Sequence, residues 1–239
     1  MPEAKSPRKL LPWILGGVVV LVLALVGGPF AYIHFLSSEA PAPLSIASGP
    51  ATGAAGGTTI PSAPLASLDG AWKVSTGSQA GYRVKEILLG QDAEAVGRTT
   101  AVTGQMTVSG TTVSAADFSV DLTKVTSDKS QRDGQFQNRI METSKFPNAT
   151  FKTTQPIVLG AALADGATVT AKATGDLTIH GVTKAVTIDV SAQRTGTAIK
   201  VSGSVPITFA DYQIANPSGG PAKTEDTGSM EFLVVLNHA

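Results

Sequence analysis

From about residue 69 to the end of the chain, apolar and polar side chains alternate with a period of two. Val102, Gly104, Met106 and Val108 alternate with Thr103, Gln105, Thr107 and Ser109, and Ala116, Phe118, Val120 and Leu122 alternate with Asp117, Ser119, Asp121 and Thr123. The pattern returns in Val186, Ile188 and Val190, and again in Ile199, Val201, Val205, Ile207 and Phe209. Successive side chains of a strand point to opposite faces, so each run predicts a strand with one buried face. The stretch MEFLVVL near the end is apolar on both parities, as a closing strand covered on both sides requires. Gly110 punctuates two of the runs, and His180-Gly181 sits between GDLTI and VTKAVTIDV, where a tight hairpin turn fits.

About eight such strands joined mostly by short turns predict antiparallel pairing, and closure into a barrel removes the exposed edges of a flat sheet. The fold expected is therefore all-β, an antiparallel barrel of about eight strands, although a two-sheet sandwich would alternate in much the same way. Many inward positions are Val, Ala, Gly or Met, and small linings favour a barrel that holds a ligand over one plugged by its own side chains. Parity selects the bore candidates. They are Tyr82 and Val84 in the first long run, Val102, Met106 and Val108 in the next, then Phe118, Val120 and Leu122. Phe151, Leu177, Ile179, Val186 and Ile188 follow, and Val201, Val205, Ile207, Phe232 and Val234 complete the set.

One stretch drops the alternation. SDKSQRDGQFQNRIM, residues 127–141, reads as a short helix with Asp128 as N-cap, Asp128 and Arg132 as an i,i+4 ion pair, and Phe136 and Ile140 on one face. Gly134 inside it predicts a brief or bent element. Its charges read as the outer face of a capping helix, with Arg132 and Asp133 as candidates for contact with a ligand at the barrel mouth. Catalysis at Asp133 would need a second titratable group or a nucleophile within reach, and the sequence offers none nearby.

Ahead of the periodic region lie two segments of different character. Residues 10–36 contain no charged side chain and are long enough to cross a bilayer as a helix. Lys5, Arg8 and Lys9 precede them and no Lys or Arg follows until Lys73, which predicts a cytoplasmic residue 1–9 segment, a single membrane span, and an extracytoplasmic remainder. A cleaved signal peptide would have a shorter apolar region and would also export the rest. Residues 37–68, rich in Pro, Ala, Gly, Ser and Thr, read as a disordered linker that does not pack, with a reach on the order of 30 Å. Residues 69–239 then form one domain.

Charge and composition narrow the chemistry. The 239 residues carry 18 basic and 18 acidic side chains, a balance without the electrostatic footprint of a nucleic-acid binder. Cysteine is absent, which excludes disulfides, thiolate metal sites and thiol catalysis. His34, His180 and His238 are scattered, so neither a metal site nor any other cofactor is expected. The chain has no Gly-x-Ser-x-Gly, Gly-x-x-x-x-Gly-Lys-Ser/Thr or His-Glu-x-x-His motif, and a non-enzymatic role is expected.

Three segments in order, SDKSQRDGQF, METSKFPNATF and GDLTIHGVTKAVTIDV, resemble the YceI-like family over most of residues 70–236. Phe146 stands where that family usually has Tyr before the proline. The resemblance implies a lipocalin-like barrel whose apolar bore accepts a polyisoprenoid or other acyl chain. The function expected is a membrane-tethered lipid-binding module held by its N-terminal helix, with any protein partner unknown. The alternative is a cell-envelope structural or protein-interaction domain, its bore filled by Phe118, Phe151, Phe209 and Phe232 and empty of ligand.

Overall fold

In the computed structural model, residues 40–48, 67–88, 90–219 and 222–239 are described. The apolar segment 10–36 and most of the linker lie outside these residues, and among those described no helix is long and apolar enough to cross a membrane.

The strands are β1 (Gly70–Val74), β2 (Gln79–Leu88), β3 (Gln91–Thr99), β4 (Val102–Ser109), β5 (Thr112–Asp121), β6 (Thr126–Ser127), β7 (Asn148–Thr153), β8 (Ile157–Val158), β9 (Thr168–Ile179), β10 (Val182–Thr195), β11 (Ala198–Thr208), β12 (Ala222–Thr224) and β13 (Thr227–His238). Eight of them close a ring in the order β1-β4-β5-β7-β9-β10-β11-β13 and back to β1, with every pair antiparallel. The expected barrel of about eight strands is present.

Closure depends on one long strand serving two neighbours. Leu236–His238 of β13 pair with Val74–Trp72 of β1, whereas Ser229–Leu233 of the same strand pair with Arg83–Gln79 of β2. The break between β1 and β2 is spliced by Ser78, whose hydroxyl donates to the Ser75 carbonyl at 2.9 Å and accepts the Val235 N–H at 2.9 Å, so the ladder loses no partner at the gap. Beyond the ring, β2 pairs with β3 and β3 with β6, forming a flap that widens one end of the barrel.

The hairpin signals hold: His180 and Gly181 both have positive φ, +51° and +75°, between the paired Ile179 and Val182. The charged stretch is a helix, α1 (Ser130–Gln135), running into one π-type turn over Phe136–Ile140. Asp128 does not cap it. Lys129 occupies the N-cap position without a side-chain bond, and Asp128 instead pairs with Arg132. The bracing falls to Asp133, which accepts the Ser127 N–H at 2.7 Å and the Ser127 hydroxyl at 2.6 Å, clipping the helix to β6.

The linker also needs correction. Residues 40–48 are docked on the barrel exterior, with a 3-10 turn at Ile46–Ser48 against β10 and β11, and Leu44 is only 8% exposed. The Arg83 guanidinium donates to the Pro41 carbonyl and that of Arg98 to the Ala42 carbonyl, both at 2.5 Å, while the Leu44 N–H donates to Glu231 Oε2 at 3.2 Å. This strap is held chiefly through its own backbone, so a composition of small residues and prolines gave no sign of it.

Candidate functional site

Inside the ring the inward parity encloses a narrow chamber of about 140 Å³ with an almost wholly apolar wall. A second cavity of about 750 Å³ opens between the ring, the β2–β3 flap and α1. Ala80, Val120, Ala149 and Met230 line both, so the two chambers abut.

The space exists because of where four aromatic rings lie. Phe118 covers Gly104, Phe232 covers Gly203, Phe151 covers Gly175 and Tyr82 covers Gly97; a Cβ built on any of these glycines would fall within 2.7 Å of the ring. Gly104 with Phe118, Gly203 with Phe232 and Gly97 with Tyr82 are also direct cross-strand partners. Each ring packs onto bare backbone, and its bulk is absorbed by the wall. Phe118, Phe151 and Phe232 line the narrow chamber and Phe209 the wide one, so these four rings stand on the walls of two cavities.

The residues selected by parity are distributed over the two chambers. Val102, Met106, Val108, Phe118, Phe151, Leu177, Ile188, Val201, Val205, Phe232 and Val234 line the narrow chamber, Tyr82, Val84, Leu122, Ile179 and Ile207 the wide one, and Val120 both. Val186 is the exception. It packs half-buried against the core without reaching either chamber. Parity could not supply Phe136, Ile140, Met141 and Ile214, which come from the π turn, the residue after it and the segment after β11. The shared face of Phe136 and Ile140 was the available signal.

The wide chamber opens past α1, where the exposed Gln131, Gln135 and Arg139 stand on its rim together with Lys129 and Arg132. Arg132 is paired with Asp128 and, at 3.3 Å, with Glu86; Arg139 donates to the Pro217 carbonyl at 3.1 Å. Asp133 does not line the chamber and is spent on Ser127. Of the other aspartates that would have to converge for acid-base chemistry, Asp121 accepts from Thr123, Asp211 pairs with Lys184 at 2.7 Å, and Asp176 is exposed; none lines either chamber. Among the described residues no group of three or more His, Asp or Glu is arranged to hold a metal ion.

Tyr82 marks the junction of flap and helix. Its ring stacks on Phe136 with centroids 5.0 Å apart and planes 13° from parallel. Burial pushes its phenol up to about 12, opposed by Arg132 and reinforced by Asp133, Glu86 and Asp128. A phenol raised above its unfolded value of 10.0 stabilises the fold fully below pH 10, and that contribution, about 2–3 kcal/mol, is lost as pH rises through 12. Tyrosinate absorbance should therefore show a late-titrating phenol that disappears in Tyr82→Phe, and the variant should keep its stability between pH 10 and 12 better than the parent; equal alkaline slopes would refute the assignment.

A family profile described as YceI-like domain matches residues 72–236. No curated protein matches the chain. The fold is similar to that of a polyisoprenoid binding domain from Saccharophagus degradans implicated in plant cell wall breakdown, with TM-score 0.58 and 19% identity, covering 70% of this chain and 98% of that one. Lower similarity is found to BcnA of Burkholderia cenocepacia (TM-score 0.49, 19% identity, 65% of this chain and 95% of that one) and to a Campylobacter jejuni YceI protein (TM-score 0.46, 17% identity, 60% and 84%).

Proposed function

The chain belongs to the YceI-like family, and from that premise we propose that it is a membrane-tethered, extracytoplasmic binding protein that takes a long apolar chain, a polyisoprenoid or another lipid, into its bore. The observation that carries this reading is the pair of abutting chambers, whose walls are predominantly apolar, with Lys129, Gln131, Arg132, Gln135 and Arg139 at the α1 rim. A chain threaded from the rim inward gains about 0.8 kcal/mol per buried methylene, while a polar end group stays beside Gln131, Arg132 and Arg139. The uncharged segment 10–36, with Lys5, Arg8 and Lys9 just before it and no Lys or Arg after it until Lys73, supports anchoring with the barrel outside the cytoplasm.

Native mass spectrometry of the protein from its own host, followed by uptake of a polyprenol probe, tests the proposal. A bound chain or stoichiometric uptake is expected; a ligand-free protein that also takes up no probe overturns it. Ala149, almost fully buried where the chambers meet, supplies the companion variant. Ala149→Leu should leave short chains binding and weaken long ones by about tenfold or more, the worth of roughly two methylenes.

A further inference from the structure

The strap changes what the tether does. Ala40 and Pro41 share a small cleft with Ser127 and Asp128 at the foot of α1, so the described chain begins beside the helix that rims the wide chamber. Only residues 37–39 separate Ala40 from the apolar segment 10–36, and four extended steps from Leu36 reach at most about 14 Å.

We propose that the strap clamps the bore mouth onto the surface of the bilayer in which residues 10–36 sit, so that the α1 rim is a lipid-facing docking surface. This rests on the anchored reading above. The barrel does not swing on a long leash. The hydrogen bonds from Arg83, Arg98 and to Glu231 fasten residues 41–44 to the barrel wall, leaving a tether too short to turn the mouth away. The rim chemistry fits such a partner: Arg139 has no carboxylate bound to it among the described residues, Lys129 likewise, and both border the chamber next to Gln131 and Gln135. Cationic side chains at that distance suit anionic headgroups. The opposite end of the barrel, with the turn at Gly196 and Thr197 between β10 and β11, is held away from the membrane by the same constraint.

The chain has no cysteine, so single labels are unambiguous. The full-length protein is reconstituted in mixed phosphatidylcholine–phosphatidylglycerol vesicles carrying a headgroup quencher, with a fluorophore on Ser130→Cys at the start of α1 or on Thr197→Cys. Quenching several-fold stronger at position 130 than at 197 is expected. Leu44→Gln, which loosens the strap, and separately a Gly/Ser insertion of about 20 residues after Ser38, which leaves the strap intact and adds a flexible reach, should each bring the two labels toward equality. Vesicle flotation separates the two layers of the claim. Protein that floats with equal quenching at both labels overturns the clamped mouth while leaving the anchor standing, and protein that fails to float overturns both.

Discussion

Replacing Glu231 by Gln is expected to lower the unfolding free energy by about 3 kcal/mol, and the melting temperature by roughly 6–12 °C. Glu231 is 3% exposed, receives Arg98 at 2.7 Å and Arg83 at 3.4 Å, and accepts the Leu44 N–H. Removing its charge leaves two guanidinium groups against a buried site with one neutral acceptor between them. Glu94 offers the internal comparison, because it also pairs with Arg83 but is about a third exposed. Glu94→Gln should cost no more than about 1 kcal/mol. Denaturant melts of the two variants decide the matter: equal losses would mean that the trio is a surface network and not a buried fastening. The same Glu231 variant should also release the strap, seen as faster proteolysis within residues 40–48.

Gly97→Ala should weaken chain binding by about tenfold or more, through displacement of a neighbouring ring. The new Cβ would fall 2.4 Å from Tyr82 Cε1 and 2.8 Å from Cζ, with no backbone atom among its three nearest neighbours. The phenol ring must therefore swing off the wall and into the wide chamber, breaking its stack on Phe136. The expected cost is about 1–3 kcal/mol of stability, with uptake of a polyprenol probe reduced tenfold or more, about 1.4 kcal/mol. The double variant Gly97→Ala/Tyr82→Ala should recover uptake, because the displaced ring is gone; uptake that stays low in the double variant would sink the explanation. Gly104 would not serve for this test, since its added Cβ meets the Asp117 carbonyl at 2.3 Å and its φ is +142°, so the backbone itself objects.

The bore was legible where strands make it and illegible where anything else does. Period-two parity reached Val102, Phe118, Leu177 and their kin because a strand commits alternate side chains to one face. It overreaches at Val186, which keeps the inward parity in the first half of β10 but packs against the core without lining either chamber. Met141 and Ile214 belong to no strand and carried no periodic signal. Glu231 was hidden for the opposite reason. In MEFLVVL an acidic residue on the outward parity reads as solvated, and nothing local announces that Leu44, far away in sequence, covers it. The helix is visible as a change of period, but the N-cap expected at Asp128 is not formed, because Asp128 pairs with Arg132 and the contact that holds the helix to β6 comes from Asp133 through Ser127.

The splice at β1, β13 and Ser78 also sets the order in which the molecule can be built. Hairpins such as β9–β10 and β10–β11 can form as soon as their own residues are available, but the ring has no closure until Leu236–His238 meet Val74–Trp72 across nearly the whole domain. Contacts so distant in sequence form late and slow the folding rate. Until β13 arrives, β1 and β11 both present open strand edges, and these are the surfaces through which one unfinished chain can pair with another. The last dozen residues thus act as the seam whose timing separates a closed barrel from an aggregate.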